Sequence, residues 1–160
     1  MSQEDVEIVL TPQGHEKLEQ RLERLRHIQR HEVAELIRDS KQFGDLTENA
    51  EYEDAKNQQA LVESQIAELR RVLQVAQVLN YEDIPTDHVG LGSVVKLTGL
   101  DNDDEWELML VSPIESDPDQ DHISDESPVG EAIWGKQVGD TAKVDTPQGV
   151  VRYRIDNIRK

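Results

Sequence analysis

A chain of 160 residues has room for one compact domain or two small ones, which excludes a large multidomain enzyme. Its 34 Asp and Glu against 17 Lys and Arg give a formal charge of −17, a field that repels nucleic acid, so direct binding to duplex DNA is not expected. With 36% hydrophobic, 4% aromatic and 32% charged residues and no cysteine, the composition suits a solvated helical element and excludes disulfides and thiolate metal sites.

The chain begins Met1-Ser2-Gln3-Glu4-Asp5, acidic and unlike a signal peptide, and no later stretch approaches the ~18 apolar residues of a membrane span. The expected location is cytoplasmic, with no membrane partner. From Thr11 to Leu79 the only proline is Pro12 and the only glycines are Gly14 and Gly44, amid Leu, Glu, Gln, Ala and Arg. Thr11-Pro12 suits an N-cap and first helical position. Leu18, Leu22, Leu25, Val33 and Leu36 follow at spacings of 4 and 3 with a gap at Gln29, predicting a helix over 12–42. Val62, Ile66, Leu69, Leu73 and Ala76 form a heptad seam with Ala55 in phase, predicting a second helix over 46–79.

Gly44 can stop the first helix in the left-handed conformation and Asp45 can cap the second. So short a link makes the helices antiparallel neighbours. Each is roughly 45 Å long and carries one narrow apolar stripe, the pattern of a two-helix antiparallel coiled coil rather than a globular bundle. Its tip falls at 43–49, and one hairpin can satisfy both stripes, so the expected state is a monomer.

Beyond Tyr81 the texture turns β-branched, punctuated by Gly, Pro, Asn and Asp. Val94–Leu97, Trp106–Val111, Thr141–Val144 and Val150–Ile158 are predicted strands. Thr146-Pro147-Gln148-Gly149 fits the turn of a hairpin between the last two. Ser127-Pro128 opens a short helix over Val129–Trp134 that Gly135 ends. The expectation is an α+β chain: a helical hairpin over 1–80, then an antiparallel sheet domain with a short helix over 81–160, with Trp106, Trp134 and Tyr153 in its core. The first half carries −6 and the second −11, with no Lys or Arg between Lys96 and Lys136. The acidic stretch from Asp101 to Glu126 reads either as a docking surface for a basic partner or as solvated loops.

Asp45 and Glu48, three apart at the start of the second helix, share a face and can jointly hold a hard cation such as magnesium, provided another molecule completes its oxygen shell. The same two positions are those of N-cap and N3, where carboxylates satisfy free backbone amides. Both roles remain open from spacing alone. His27 and His31 lack a third zinc ligand, and the runs starting at Asp101 and Asp117 lack the glycine and glutamate of a calcium loop. No phosphate-binding loop or nucleophile elbow is present, so no self-contained active site is expected. Lys41 and Lys56 flank the tip, with Arg38 nearby.

The tip Phe43-Gly44-Asp45-Leu46-Thr47-Glu48-Asn49-Ala50-Glu51-Tyr52, with Ala55-Lys56-Asn57-Gln58-Gln59, resembles the bacterial transcript cleavage factors of the GreA/GreB family. Leu10-Thr11-Pro12-Gln13-Gly14, Glu16-Lys17-Leu18, Ser127-Pro128-Val129-Gly130, Gly135-Lys136 and Thr146-Pro147-Gln148-Gly149 extend the likeness over nearly the whole chain. The weakly acidic helical half lacks an extended basic patch, which brings it nearer the GreA branch. The resemblance implies an FKBP-like C-terminal domain docking at the rim of the RNA polymerase secondary channel while the coiled coil reaches the active centre. It implies that Asp45 and Glu48 assist a magnesium ion held mainly by polymerase, with none bound tightly by the free protein. It also implies that Lys41 and Lys56 contact the nascent RNA 3′ segment. On this likeness the chain is an accessory factor, not an enzyme, that stimulates polymerase to cleave backtracked RNA. A channel-binding inhibitor on the same scaffold and a coiled-coil adaptor are the alternatives.

Overall fold

A computed structural model of the protein describes residues 7–41 and 50–160. In chain order these form β1 (Val9–Leu10), α1 (Pro12–His27), a π-helical segment (Ile28–Val33), α2 (Ala34–Lys41), α3 (Ala50–Val75), β2 (Gln77–Val78), β3 (Val94–Gly99), β4 (Glu105–Val111), β5 (His122–Ser124), α4 (Pro128–Ile133), β6 (Thr141–Thr146) and β7 (Gly149–Arg159). Short 3-10 turns lie at Tyr81–Asp83, Pro113–Glu115 and Pro118–Gln120. Two compact units result: a helical unit, His15–Ala76, and a sheet unit, Gln77–Lys160 together with the described residues up to Gly14.

In the helical unit, Leu18, Leu22 and Leu25 are buried on α1 at the predicted spacing. An uninterrupted α-helix would bring positions 29, 32 and 36 to the same face, but the chain has Gln29, Glu32 and Leu36 there. The wider turn of the π segment absorbs one extra residue, and the buried face resumes at Val33, half-buried Ile37 and Ser40. Leu36, expected in the stripe, is therefore 45% exposed. The expected consequence is that Val33→Ala lowers the stability of the helical unit by about 1.5 kcal/mol, whereas Leu36→Ala stays within about 0.5 kcal/mol of wild type in urea melts. Equal losses would contradict the phase shift.

On α3, Ala55, Val62, Ile66 and Leu69 are buried as predicted, but beyond them Val72 is buried whereas Leu73 and Ala76, the last two predicted positions, are half-buried. The pairing of α3 with the earlier helices is antiparallel: Gln29 Nε2 donates to Glu63 Oε1 at 3.2 Å, while Leu36–Ser40 face Glu51–Gln58. The predicted helix to residue 79 stops at Val75. There Gln77 N donates to Ile8 O and Leu79 N to Leu10 O, both at 2.8 Å. A parallel β1–β2 pair, anchored by fully buried Leu10, thus satisfies backbone groups that a longer helix would otherwise use. The predicted start of the second helix at 46 lies outside the described residues.

The sheet unit is a curled five-stranded sheet ordered β5-β4-β3-β7-β6. Its β3, β4, β6 and β7 pair antiparallel as expected, but β5, which the acidic run conceals in the sequence, adds to β4 in parallel. Val95, Leu97, Leu108, Leu110, Ala142, Ile155 and Ile158 point to one side and meet Val89 and Ile133 in a single core. Trp106 and Tyr153 pack against its margin, with ring centroids 6.2 Å apart. Trp134, expected in the core, is 49% exposed; α4 ends at Ile133, and that residue fills the core instead. The Thr146–Gly149 turn closes the β6–β7 hairpin as predicted, with Gly149 at φ +125°.

The β3–β7 register shifts beside Lys96 and Leu97, leaving Asp156 as a bulged residue on β7. Its carboxylate accepts from the Thr98 hydroxyl and, at 2.8 Å, from Arg154 Nε. Those two bonds, Thr98 first and Arg154 second, hold its pKa below the usual carboxylate range. A depressed folded-state pKa adds stability that is complete above the unfolded value of about 3.9 and is lost as pH falls through the folded one. Asp156→Asn should therefore cost up to about 1 kcal/mol at pH 7, and the deficit should shrink in melts taken at successively lower pH below the unfolded value of about 3.9. A deficit independent of pH would refute this assignment.

Candidate functional site

The described residues nearest the tip belong to the last turns of α2 and the first turns of α3. Along this stretch the buried seam steps down from Leu, Ile and Val to Ser40 and Ala55, at 3% and 4% exposure. Small side chains leave a cavity of about 260 Å³, lined by Leu36, Asp39 and Ser40 from α2 and by Glu51, Asp54, Ala55 and Gln58 from α3. Ser40 Oγ donates to Ile37 O at 2.8 Å, which keeps its hydroxyl satisfied within its own helix. Glu51 and Glu53 occupy the first turn of α3, where the positive end of the helix dipole favours carboxylates.

Lys41 is the last residue of α2 and is exposed. Lys56 is exposed on α3, its Nζ 3.4 Å from Gln59 Oε1 and 6.0 Å from the centroid of the Tyr52 ring. The antiparallel register sets Lys56 about one turn farther from the 42–49 link than the level of Lys41. Lys41 and Lys56 thus stand on different helices and at different heights along the pair. Asp45 and Glu48, the predicted metal-assisting pair, lie outside the described residues, as does Gly44. The donors bordering the link, Asp39, Glu51, Glu53 and Asp54, are carboxylates with no His or Cys among them, a chemistry suited to a hard cation. Among the described residues no three His, Asp or Glu gather closely enough to hold a metal ion. His27 and His31 are exposed, with ring centroids 4.7 Å apart.

The acidic stretch of the sheet unit is largely committed to local bonds. Asp101 pairs with Arg152 at 3.3 Å, Glu105 with Lys96 at 3.7 Å and Glu107 with Arg159 at 2.7 Å. Asp121 accepts from Trp106 Nε1 at 2.8 Å. Burial pushes the Asp125 carboxyl above its ordinary pKa, and its Oδ1 has no partner among the described residues. Glu115 reaches back to the start of α1, where it binds Thr11. The sequence offered no signal for that last contact, because its partners are 104 residues apart. No helix among the described residues is long and apolar enough to cross a membrane.

Two family models match nearly the whole chain between them. Residues 8–78 match "Transcription elongation factor, N-terminal" and residues 84–160 match "Transcription elongation factor, GreA/GreB, C-term". The chain is 47% identical over 154 residues to the transcription elongation factor GreA of Acetivibrio thermocellus, covering 96% of this chain and 97% of that one. It is 48% identical over 157 residues to the GreA of Syntrophomonas wolfei, covering 98% and 99%. Among solved structures, GreA factor homolog 1 of Thermus thermophilus is 33% identical over 96% of this chain and 99% of its own, with a TM-score of 0.45.

Proposed function

We propose a function from one premise: the chain belongs to the GreA/GreB transcription elongation factor family. In this reading it is an accessory factor of bacterial RNA polymerase. The sheet unit docks at the rim of the secondary channel, and the helical unit enters to bring the 42–49 link to the active centre. Polymerase then hydrolyses its own backtracked transcript, releasing a short 3′ fragment and restoring an RNA end for synthesis. The observation that carries the proposal is a sequence: the residues between α2 and α3, which pair antiparallel, include Gly44-Asp45-Leu46-Thr47-Glu48-Asn49.

Asp45 and Glu48 supply carboxylate oxygens to a magnesium ion whose remaining ligands come from polymerase and phosphate. That ion would polarise a water and offset the charge that builds up during in-line phosphoryl transfer. The two acids orient the water and the ion; neither forms a covalent bond to RNA. Lys41 and Lys56 border the link as point charges for the phosphates of the extruded 3′ segment. A chain of formal charge −17 gains nothing from free nucleic acid, which fits a factor that meets RNA only inside its protein partner.

The test is cleavage of 3′-labelled RNA in a halted, backtracked complex of bacterial polymerase with magnesium, with and without the full chain. Release of short 3′ fragments that rises with the chain's concentration is expected. Binding to polymerase without release would overturn the proposal in favour of a channel-blocking factor.

A further inference from the structure

The chain has five histidines. His15 stands 3.7 Å from Glu19 and His88 stands 2.6 Å from Asp87, so each has a carboxylate beside it. His122 is half-buried in β5. His27 and His31 differ: both are exposed, and among the described residues no side chain hydrogen-bonds either ring. Each ring instead meets the other, with centroids 4.7 Å apart and planes tilted by 47°. His27 ends α1 and His31 lies in the π segment, four residues on. Four residues make close to one turn in either helix type, so both rings leave the same side of the backbone.

A neutral imidazole offers one bare nitrogen to a metal while the other nitrogen carries the hydrogen. At a metal–nitrogen distance of about 2.1 Å an ion lies about 3.2 Å from each ring centroid, and centroids 4.7 Å apart then subtend about 95° at the ion. That angle suits tetragonal or distorted tetrahedral coordination. Two rings do not make the closed four-ligand shell of a structural zinc, and no three His, Asp or Glu stand together among the described residues. The arrangement is therefore an open site, with water in the remaining positions. Imidazole selects zinc, copper(II) and nickel(II), whereas magnesium prefers oxygen donors. Net charge does not oppose a cation here: Arg24, Arg26 and Arg30 are matched by Glu23, Glu32 and Glu35, and Arg26 is held by Glu23 at 2.6 Å.

We propose that His27 and His31 form a two-histidine site for a divalent late transition-metal ion, zinc, copper(II) or nickel(II), and that the bound ion braces the π segment. An ion tied to both rings links the end of α1 to the π segment, the stretch where the regular backbone ladder of an α-helix is interrupted. The unfolded chain does not hold the two rings together, so occupancy adds stability to the folded helical unit. The site stands apart from the cleavage reading: neither histidine has a part in it, and its donors are nitrogen rather than oxygen.

The test is calorimetric titration of the full chain with zinc chloride in a buffer holding excess magnesium chloride, where one zinc ion per chain is expected. His27→Ala and His31→Ala should each weaken binding about tenfold or more, while His15→Ala and His88→Ala leave it unchanged. Both residues are exposed, so the variants keep their fold, as melts without metal should show. Zinc at about a hundredfold its dissociation constant should raise the melting midpoint of the helical unit by roughly 10 °C, a rise that either variant removes. Substoichiometric copper(II) should broaden the ring signals of His27 and His31 before those of the other three histidines. Zinc binding that survives both substitutions, or that magnesium displaces, would place the ion on carboxylates and overturn the proposal. Binding without a rise in the midpoint would overturn the bracing. A doubled mass in light scattering with half an ion per chain would overturn the open site in favour of a bridge between two copies, and the absence of both heat and broadening would overturn it outright.

Discussion

The Asp45→Asn/Glu48→Gln double variant should lose stimulated RNA release by on the order of 10²-fold or more at saturating concentration, with little change in half-saturation. The pair is chosen because it separates the two roles that spacing leaves open. Asn caps a helix as well as Asp, and Gln serves at N3 as Glu does, so the helix start survives. Neither amide offers an anionic oxygen to a hard cation. If the acids only cap the helix, the variant is silent; if they serve the metal and its water, cleavage collapses while binding persists. Asp45→Ala sharpens the comparison, since it removes cap and charge together and should add a stability loss of about 1 kcal/mol to the catalytic one. Wild-type release by the double variant, measured with 3′-labelled RNA, would refute the role proposed for the link.

Much of this fold is legible in the sequence, for reasons specific to particular segments. Leu18, Leu22 and Leu25 on one helix and Val62, Ile66 and Leu69 on the other keep strict helical spacing, and each is buried. Of the four longer strands, β3, β6 and β7 are rich in β-branched residues and β4 carries Trp106 and apolar Leu, Met and Val, so pattern and structure agree there. Pattern fails where it is interrupted by one residue. The gap at Gln29 marks the π segment; Val33 is buried as predicted, but reading on to Leu36 misses the phase, since half-buried Ile37 follows Val33 on that face. Pattern also fails where an element is too short to show a period: β1 and β2 have two residues each and β5 has three. Trp134 misleads because size suggests burial, whereas its position one residue past α4 decides the matter. Of the residues proposed for function, Asp45, Glu48 and Lys56 lie in the two runs that carry the family likeness, and Lys41 lies just before them. The Glu115–Thr11 contact has no such signal, because a pairing across 104 residues leaves no local trace.

Gly130→Ala should destabilise the sheet unit by about 3 kcal/mol, a melting shift on the order of 10–20 °C for a unit of this size. The cause is space, not backbone conformation. A Cβ at position 130 would lie 2.0 Å from the Ser124 carbonyl oxygen and 2.9 Å from the Asp125 Cα, both backbone atoms that cannot swing aside. The same carbonyl accepts from Ser127 Oγ at 2.6 Å, and Ser127 Oγ accepts from Gly130 N at 3.1 Å to cap α4. Moving α4 off β5 therefore breaks the cap and lifts fully buried Ile133 out of the core in one displacement. Alanine's better helix propensity gives back only about 1 kcal/mol. Gly135→Ala is the control: position 135 has φ +72° and nothing within 4 Å, so its cost is backbone strain alone, about 1 kcal/mol. Thermal melts in which Gly135→Ala falls as far as Gly130→Ala would show that conformation, not the closeness of α4 to β5, sets the requirement for glycine. The expected order also bears on function, because Ser127-Pro128-Val129-Gly130 is one of the segments in which the chain resembles the family, and packing alone accounts for its glycine.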